Sequence, residues 1–173
     1  RSVAIGKSAL STQNFTTATN TYNVAVGDSA GSSLQSGKFN TLIGGQAGDG
    51  TDDGEGNTAV GYLAGEGIRD GNSNVAIGYK AGSGNGGTQS YGMGNTSAGT
   101  ANSNVFLGTN SGYRVHGNAR NNVFIGTASG YAFSNSDFSG TGTGPQDCVV
   151  IGDTARLGTI ATNTTVIGAN AYS

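Results

Sequence analysis

Asn74–Gly82 reads NVAIGYKAG, and Asn57–Gly65, seventeen residues earlier, reads NTAVGYLAG. Repetition at this period is the mark of a stacked structural array rather than of a catalytic site. Aligned on the central glycine, the unit recurs at Gly6, Gly27, Gly44, Gly61, Gly78, Gly108, Gly126, Gly152 and Gly168. The spacings are 21, 17, 17, 17, 30, 18, 26 and 16 residues, so the basic unit is about seventeen residues and the longer intervals are insertions into one spacer.

Before each glycine lies an apolar triplet. Its last residue is Ile, Val or Leu, from Ile5 to Ile167, and its first is Val or Thr, from Val3 to Thr165. The middle residues include Ala25, Leu42, Ala59, Ala76, Phe106, Phe124, Val150 and Val166. The run is too short for a helix and glycine interrupts it each time, so it predicts a strand that is apolar on both faces. Ala or Ser stands three residues after each glycine, which predicts a second short strand with a small inward residue. The glycine suits a corner that needs positive φ or close backbone approach. Four residues before it, six units carry Asn and three carry Ser2, Cys148 or Thr164. That column fits either a hydrogen-bonded ladder between rungs or ordinary Asn turn chemistry.

The expected fold is all-β: a parallel β-roll, or β-solenoid, of about nine coils forming a single domain over residues 1–173. At about 4.8 Å per rung the stack would be roughly 40 Å long. One strand face fills the coil, and the other must be covered elsewhere. With the branched aliphatics placed inside, the middle column from Ala25 to Val166 becomes the expected subunit interface, and a stripe along the axis favours cyclic assembly.

SVAIGKSAL (2–10), NVAVGDSAG (23–31) and NVAIGYKAG resemble the head repeats of trimeric autotransporter adhesins. NTAVGYLAG, NVFLGTNSG (104–112) and NNVFIGTASG (121–130) resemble repeats of phage tail fibre proteins even more, and the long coils tilt the resemblance that way. The resemblance covers nearly the whole chain. It implies a homotrimeric left-handed parallel β-roll within an extracellular adhesive fibre, on a virion tail or a bacterial surface, joined to flanking fibre modules.

Composition narrows the function. Thirty-three glycines, 10% charged residues and a net charge of −2, with no basic run, leave nothing to replace the counterions of a nucleic acid. No apolar run approaches the ~20 residues of a membrane span, so no membrane insertion is expected. The chain opens inside a repeat, as a segment of a longer protein would. His116, the single histidine, sits in a spacer with no nucleophile nearby, so no catalytic residue is assigned and the expected function is non-enzymatic. Paired carboxylates between chains, as in a polysaccharide-cleaving tail protein, are the enzymatic alternative.

Asp49, Asp52, Asp53 and Glu55 lie in an acidic, glycine-rich loop. They are a weak Ca²⁺ candidate, and a solvated acidic loop is the preferred reading, so no cofactor is expected. Cys148 is expected to be a free, partly buried thiol. Tyr62 with Tyr79, and Tyr113 with Tyr131, should stack one rung apart; such ladders stabilise strands and also resemble sugar platforms.

Insertions at 83–103 and 131–147 expose Tyr91, Met93, Phe133 and Phe138 amid Gly, Ser and Asn, which makes these four the receptor-binding candidates for a surface glycan or protein. A self-assembling filament is the structural rival, since solenoid ends expose strand edges. Ice binding is set aside because Thr41, Thr58 and Thr165 share positions assigned to the interior.

Overall fold

The structure, a computed structural model, describes residues 1–15, 19–84, 101–115, 118–131, 144–158 and 161–173. Each apolar triplet is a strand: β1 (Val3–Ile5), β2 (Val24–Val26), β3 (Thr41–Ile43), β4 (Thr58–Val60), β5 (Val75–Ile77), β6 (Val105–Leu107), β7 (Val123–Ile125), β8 (Val149–Ile151) and β9 (Thr165–Ile167). They form one nine-stranded parallel sheet in chain order, which is the expected solenoid. First, middle and last residues of successive triplets pair with their counterparts throughout, even across the two long insertions.

The corner glycines meet both demands made of them. Their φ values run from 127° to 141°, a region that residues with a Cβ rarely enter. At the first eight, an added Cβ would lie 2.3–2.6 Å from the carbonyl oxygen of the next rung's corner glycine. Stacking at strand spacing is therefore possible only with glycine at this corner.

The predicted second strand is absent from the described residues. The second residue after every corner, from Ser8 (φ 57°) to Asn170 (φ 56°), is left-handed and turns the chain out of extended geometry. In place of a strand, the rungs stack as turns joined by backbone bonds such as Gly48 N–H to Ala64 C=O at 2.8 Å and Gly65 N–H to Ala81 C=O at 2.9 Å. The small residue does point inward: Ala30, Ala47, Ala64, Ala81, Ser111, Ser129 and Ala155 are all fully buried. The two buried serines donate to Phe124 O and Val150 O, each at 2.9 Å.

The core runs the length of the stack and is built from complementary volumes. Ala25 shares its rung with buried Leu34, Ala59 with Ile68, and the larger Leu42 with the smaller Thr51. Where the middle residue is Phe, a glycine makes room, because a Cβ on Gly112 or Gly130 would lie 2.2 Å from the ring of Phe106 or Phe124. Those two rings pack against each other at 5.5 Å, tilted by 53°.

A buried asparagine ladder lines one corner. Asn23 Oδ1 accepts the Asn40 N–H, Asn40 Oδ1 that of Asn57, and so on through Asn74, Asn104 and Asn122 to Cys148, at 2.9–3.1 Å. Each Nδ2 donates to a carbonyl of the next rung, among them Gly37, Gly54, Gly71 and Ala101. Of the two readings open at the sequence level, the inter-rung ladder is the one found.

Cys148 ends it. Its thiol, a weak donor, lies 3.4 Å from the Ala161 carbonyl and offers nothing like the amide oxygen that the other rungs present to the following N–H. Cys148→Asn would extend the ladder to Thr164. The expected result is a gain of about 1 kcal/mol, measured as a higher urea midpoint with an unchanged slope.

Candidate functional site

Strand alternation places first and last triplet residues on one face and middle residues on the other. The interior is the middle face. Ala25, Leu42, Ala59, Ala76, Phe106, Phe124, Val150 and Val166 are buried within the single chain, Val166 the most accessible at 5%. They are therefore core residues, and the expectation that they form a subunit interface is corrected. The outward face is instead the pair of branched columns from Val3 to Thr165 and from Ile5 to Ile167. Ile43, Ile77 and Leu107 in mid-stack remain 39%, 37% and 42% exposed, and Ile167 at the end 68%. The physical reason is parity: the buried Asn stands two residues before the middle position, so the two share a face.

Two ranks of β-branched and leucine side chains thus run uninterrupted along nine rungs. Adjacent ranks sit about 6–7 Å apart along the strand and about 4.8 Å between rungs. Apolar surface that is contiguous on this scale marks an interaction site in soluble proteins. Thr41, Thr58 and Thr165 lie on this outward face too, so their supposed burial is no argument against ice binding. What weighs against it is composition, since the other six positions of that column are valine.

Aromatic side chains also stack between neighbouring rungs. Tyr62 and Tyr79 stack at 5.8 Å and 22°, and Tyr113 and Tyr131 at 5.4 Å and 30°, as expected. The rings face one another, Lys80 Nζ lies over Tyr79, and the Arg114 guanidinium lies over Tyr113. Each ring has one face against its partner on the neighbouring rung, a contact that supports the stack, while Tyr62 and Tyr79 each remain 47% exposed. A third pair, Tyr22 and Phe39, stacks at 6.1 Å and 12° and was not anticipated. The signal was legible: both occupy the position five before a corner glycine.

The acidic loop is divided among separate partners. Asp49 accepts from Ser32 Oγ, Asp53 from Ser36 Oγ at 2.5 Å, Asp52 pairs with Arg69 at 2.8 Å, and Glu55 with Lys38 at 3.4 Å. Each bond joins neighbouring rungs. The Asp52 hydrogen bond, with smaller help from the charges of Asp52 and Asp70, raises the Arg69 pKa above its ordinary value despite desolvation. Among the described residues no three His, Cys, Asp or Glu side chains converge as a metal site, and the four loop carboxylates do not gather around a common point. Cys148 is free and buried.

The receptor-binding candidates Tyr91, Met93, Phe133 and Phe138, and His116 with them, lie outside the described residues. Where the chain is described on either side of the two insertions, it leaves and rejoins the stack without disturbing strand register. No family model matches this chain, and no curated protein and no solved structure matches it.

Proposed function

We propose that this chain is a non-enzymatic segment of an adhesive fibre, a phage tail fibre in the first instance, that acts as a homotrimer and binds a glycan or protein on a cell surface. One observation carries the reading: an apolar face that spans the whole stack and that nothing among the described residues covers. Copies related by rotation about the long axis would bury these stripes against one another, and each side chain would meet the same surroundings on every rung. The insertions would then be displayed in triplicate, so weak contacts gain through effective concentration.

Light scattering coupled to size exclusion tests the assembly. The expected mass is about three times 17.0 kDa. Ile77→Lys, which places a charge on the stripe of every copy, should give a folded species of one-third that mass. A monomeric wild type overturns the homotrimer, and an open-ended mass distribution replaces it with the filament. Adhesion is tested separately: deleting both insertions should lower binding to host cells at least tenfold while leaving the number of chains per particle unchanged.

A further inference from the structure

The aromatic column that holds Tyr22 and Phe39 stops abruptly. Its next two positions are Gly56 and Ser73, each stacked on an earlier rung through the backbone bonds Gly56 N–H to Lys38 C=O and Ser73 N–H to Glu55 C=O, both 2.9 Å. Tyr22 covers one face of Phe39, which is 55% exposed. The other face looks along the stack towards Gly56, where there is no side chain. An open concavity results, lined by Phe39, Asp53, Glu55, Gly56, Asp70, Asn72 and Ser73.

The void is not forced by the backbone. Gly56 has φ +69°, close to the values of Tyr22 (52°), Phe39 (62°) and Ser73 (58°) in the same column. A Cβ there would meet nothing nearer than Ser73 Oγ at 3.7 Å. A side chain would fit, and its absence leaves a slot one residue high. From the Phe39 rung to the Ser73 rung is two strand spacings, about 9–10 Å. After van der Waals contact on both sides, that height admits one saturated six-membered ring.

The slot has two kinds of wall. Its floor is an aromatic face, which packs against the C–H face of a pyranose. Its rim and ceiling are hydrogen-bonding groups. Glu55 is shared with Lys38 and Asp53 with Ser36, but a carboxylate accepts up to four bonds, and Asp70 has no hydrogen-bond partner among the described residues. Asn72 Oδ1 takes the Glu55 N–H at 2.7 Å, which leaves the Asn72 amide hydrogens and the exposed Ser73 hydroxyl facing outward. Asp53, Glu55 and Asp70, with Asp52 nearby, outnumber the two cations Lys38 and Arg69, which favours ligands that donate hydrogen bonds or carry positive charge over uronic acids, sialic acids and phosphates. A guanidinium would also stack on Phe39, yet it is thinner than the slot and has two identical apolar faces, whereas this slot has one apolar and one polar wall.

We infer that the Phe39–Gly56–Ser73 slot binds a single hexose or hexosamine ring, uncharged or cationic, with its C–H face on Phe39 and its hydroxyl or ammonium groups on Asp70, Asp53 and Asn72. The inference rests on the adhesive reading only in expecting a glycan as ligand, and it adds a recognition site on the rungs to the one proposed for the insertions. A one-ring site of this size should have a dissociation constant on the order of 1 mM.

Saturation-transfer NMR on the full chain, with methyl glycosides of glucose, galactose, mannose and glucosamine, is the test. Methyl glucuronide and arginine methyl ester serve as comparison probes. At least one glycoside should bind, with transfer strongest to the ring C–H protons. Gly56→Tyr, which continues the column through the slot, and Phe39→Ala should each weaken that binding at least tenfold while the circular-dichroism spectrum at 25 °C and the solution mass stay unchanged. Asp70→Asn should weaken glucosamine more than glucose. The inference is overturned if no glycoside binds, if arginine methyl ester alone binds, if binding survives Gly56→Tyr, or if Gly56→Tyr changes the mass, since a second copy would then occupy the slot. Host-cell adhesion without binding of any glycoside would overturn this site and leave the adhesive reading standing. Glycoside binding without cell adhesion would do the reverse.

Discussion

Gly61→Ala is expected to destabilise the protein by about 4 kcal/mol or more, enough to separate the stack at that rung. The alanine would have to hold φ near +132°, a strain of roughly 1–3 kcal/mol by itself. Its Cβ would also lie 2.5 Å from the Gly78 carbonyl oxygen and 2.8 Å from the carbonyl carbon, both backbone atoms with no rotamer to yield. Relief means lifting β5 from β4, which stretches the Gly78 N–H to Val60 C=O and Thr58 N–H to Asn74 C=O bonds, each 2.8 Å, and parts the cores of both rungs. Two comparisons separate strain from collision. Gly168→Ala has φ +131° but meets only Ala171 Cβ at 3.7 Å, so it should cost the strain alone. Gly56→Ala, at an ordinary left-handed φ, should cost about 1 kcal/mol or less. Thermal melts monitored by circular dichroism give the ranking, and hydrogen exchange locates the break between β4 and β5. Equal losses at Gly61 and Gly168 would show that rung-to-rung contact at the corner contributes nothing.

Asn57→Leu should cost about 4 kcal/mol, although the two side chains are similar in size. The substitution removes the acceptor of the Asn74 N–H at 3.0 Å and the donor to the Gly71 carbonyl at 2.8 Å. Both groups are left unpaired in a buried column, and each unsatisfied buried group costs about 1–3 kcal/mol. Asn72 supplies the contrast. Its Oδ1 takes the Glu55 N–H in the same inter-rung manner, but on the surface, where water can replace it. Asn72→Ala should therefore cost no more than about 1 kcal/mol. If Asn57→Leu and Asn72→Ala lowered the urea midpoint equally, burial would not be what makes the ladder strong.

Much of this architecture can be read from the chain because a solenoid repeats one local solution. Nine corner glycines, about seventeen residues apart wherever no insertion intervenes, locate nine strands, and their alignment is the register of the sheet. The Asn column and the Tyr62–Tyr79 and Tyr113–Tyr131 pairs come from the same alignment, because equal positions in successive units become neighbours. The turn stack after each corner was harder to foresee. Residues as different as Leu63, Lys80 and Ala128 occupy its left-handed position, where the usual Asn or Gly signal is missing in most units. The Phe39 slot was harder still, since its lining comes from three rungs and its defining feature is a side chain that Gly56 does not have.

By itself the sequence determined the period, the corners, the parallel order and the fact that each strand carries apolar side chains on both faces. It did not determine which of those faces closes the core. Alternation divides a strand into two sets and is blind to exchanging them, and both sets here are apolar. The tertiary structure breaks that tie through volume and hydrogen bonding across distant positions. Phe106 and Phe124 fit inside only because Gly112 and Gly130 yield space, Ala25 and Ala59 only because Leu34 and Ile68 fill it, and the Asn ladder must be dry on the same face. The branched columns are left outside by that choice, which turns the residues expected to form the core wall into a partly exposed apolar surface.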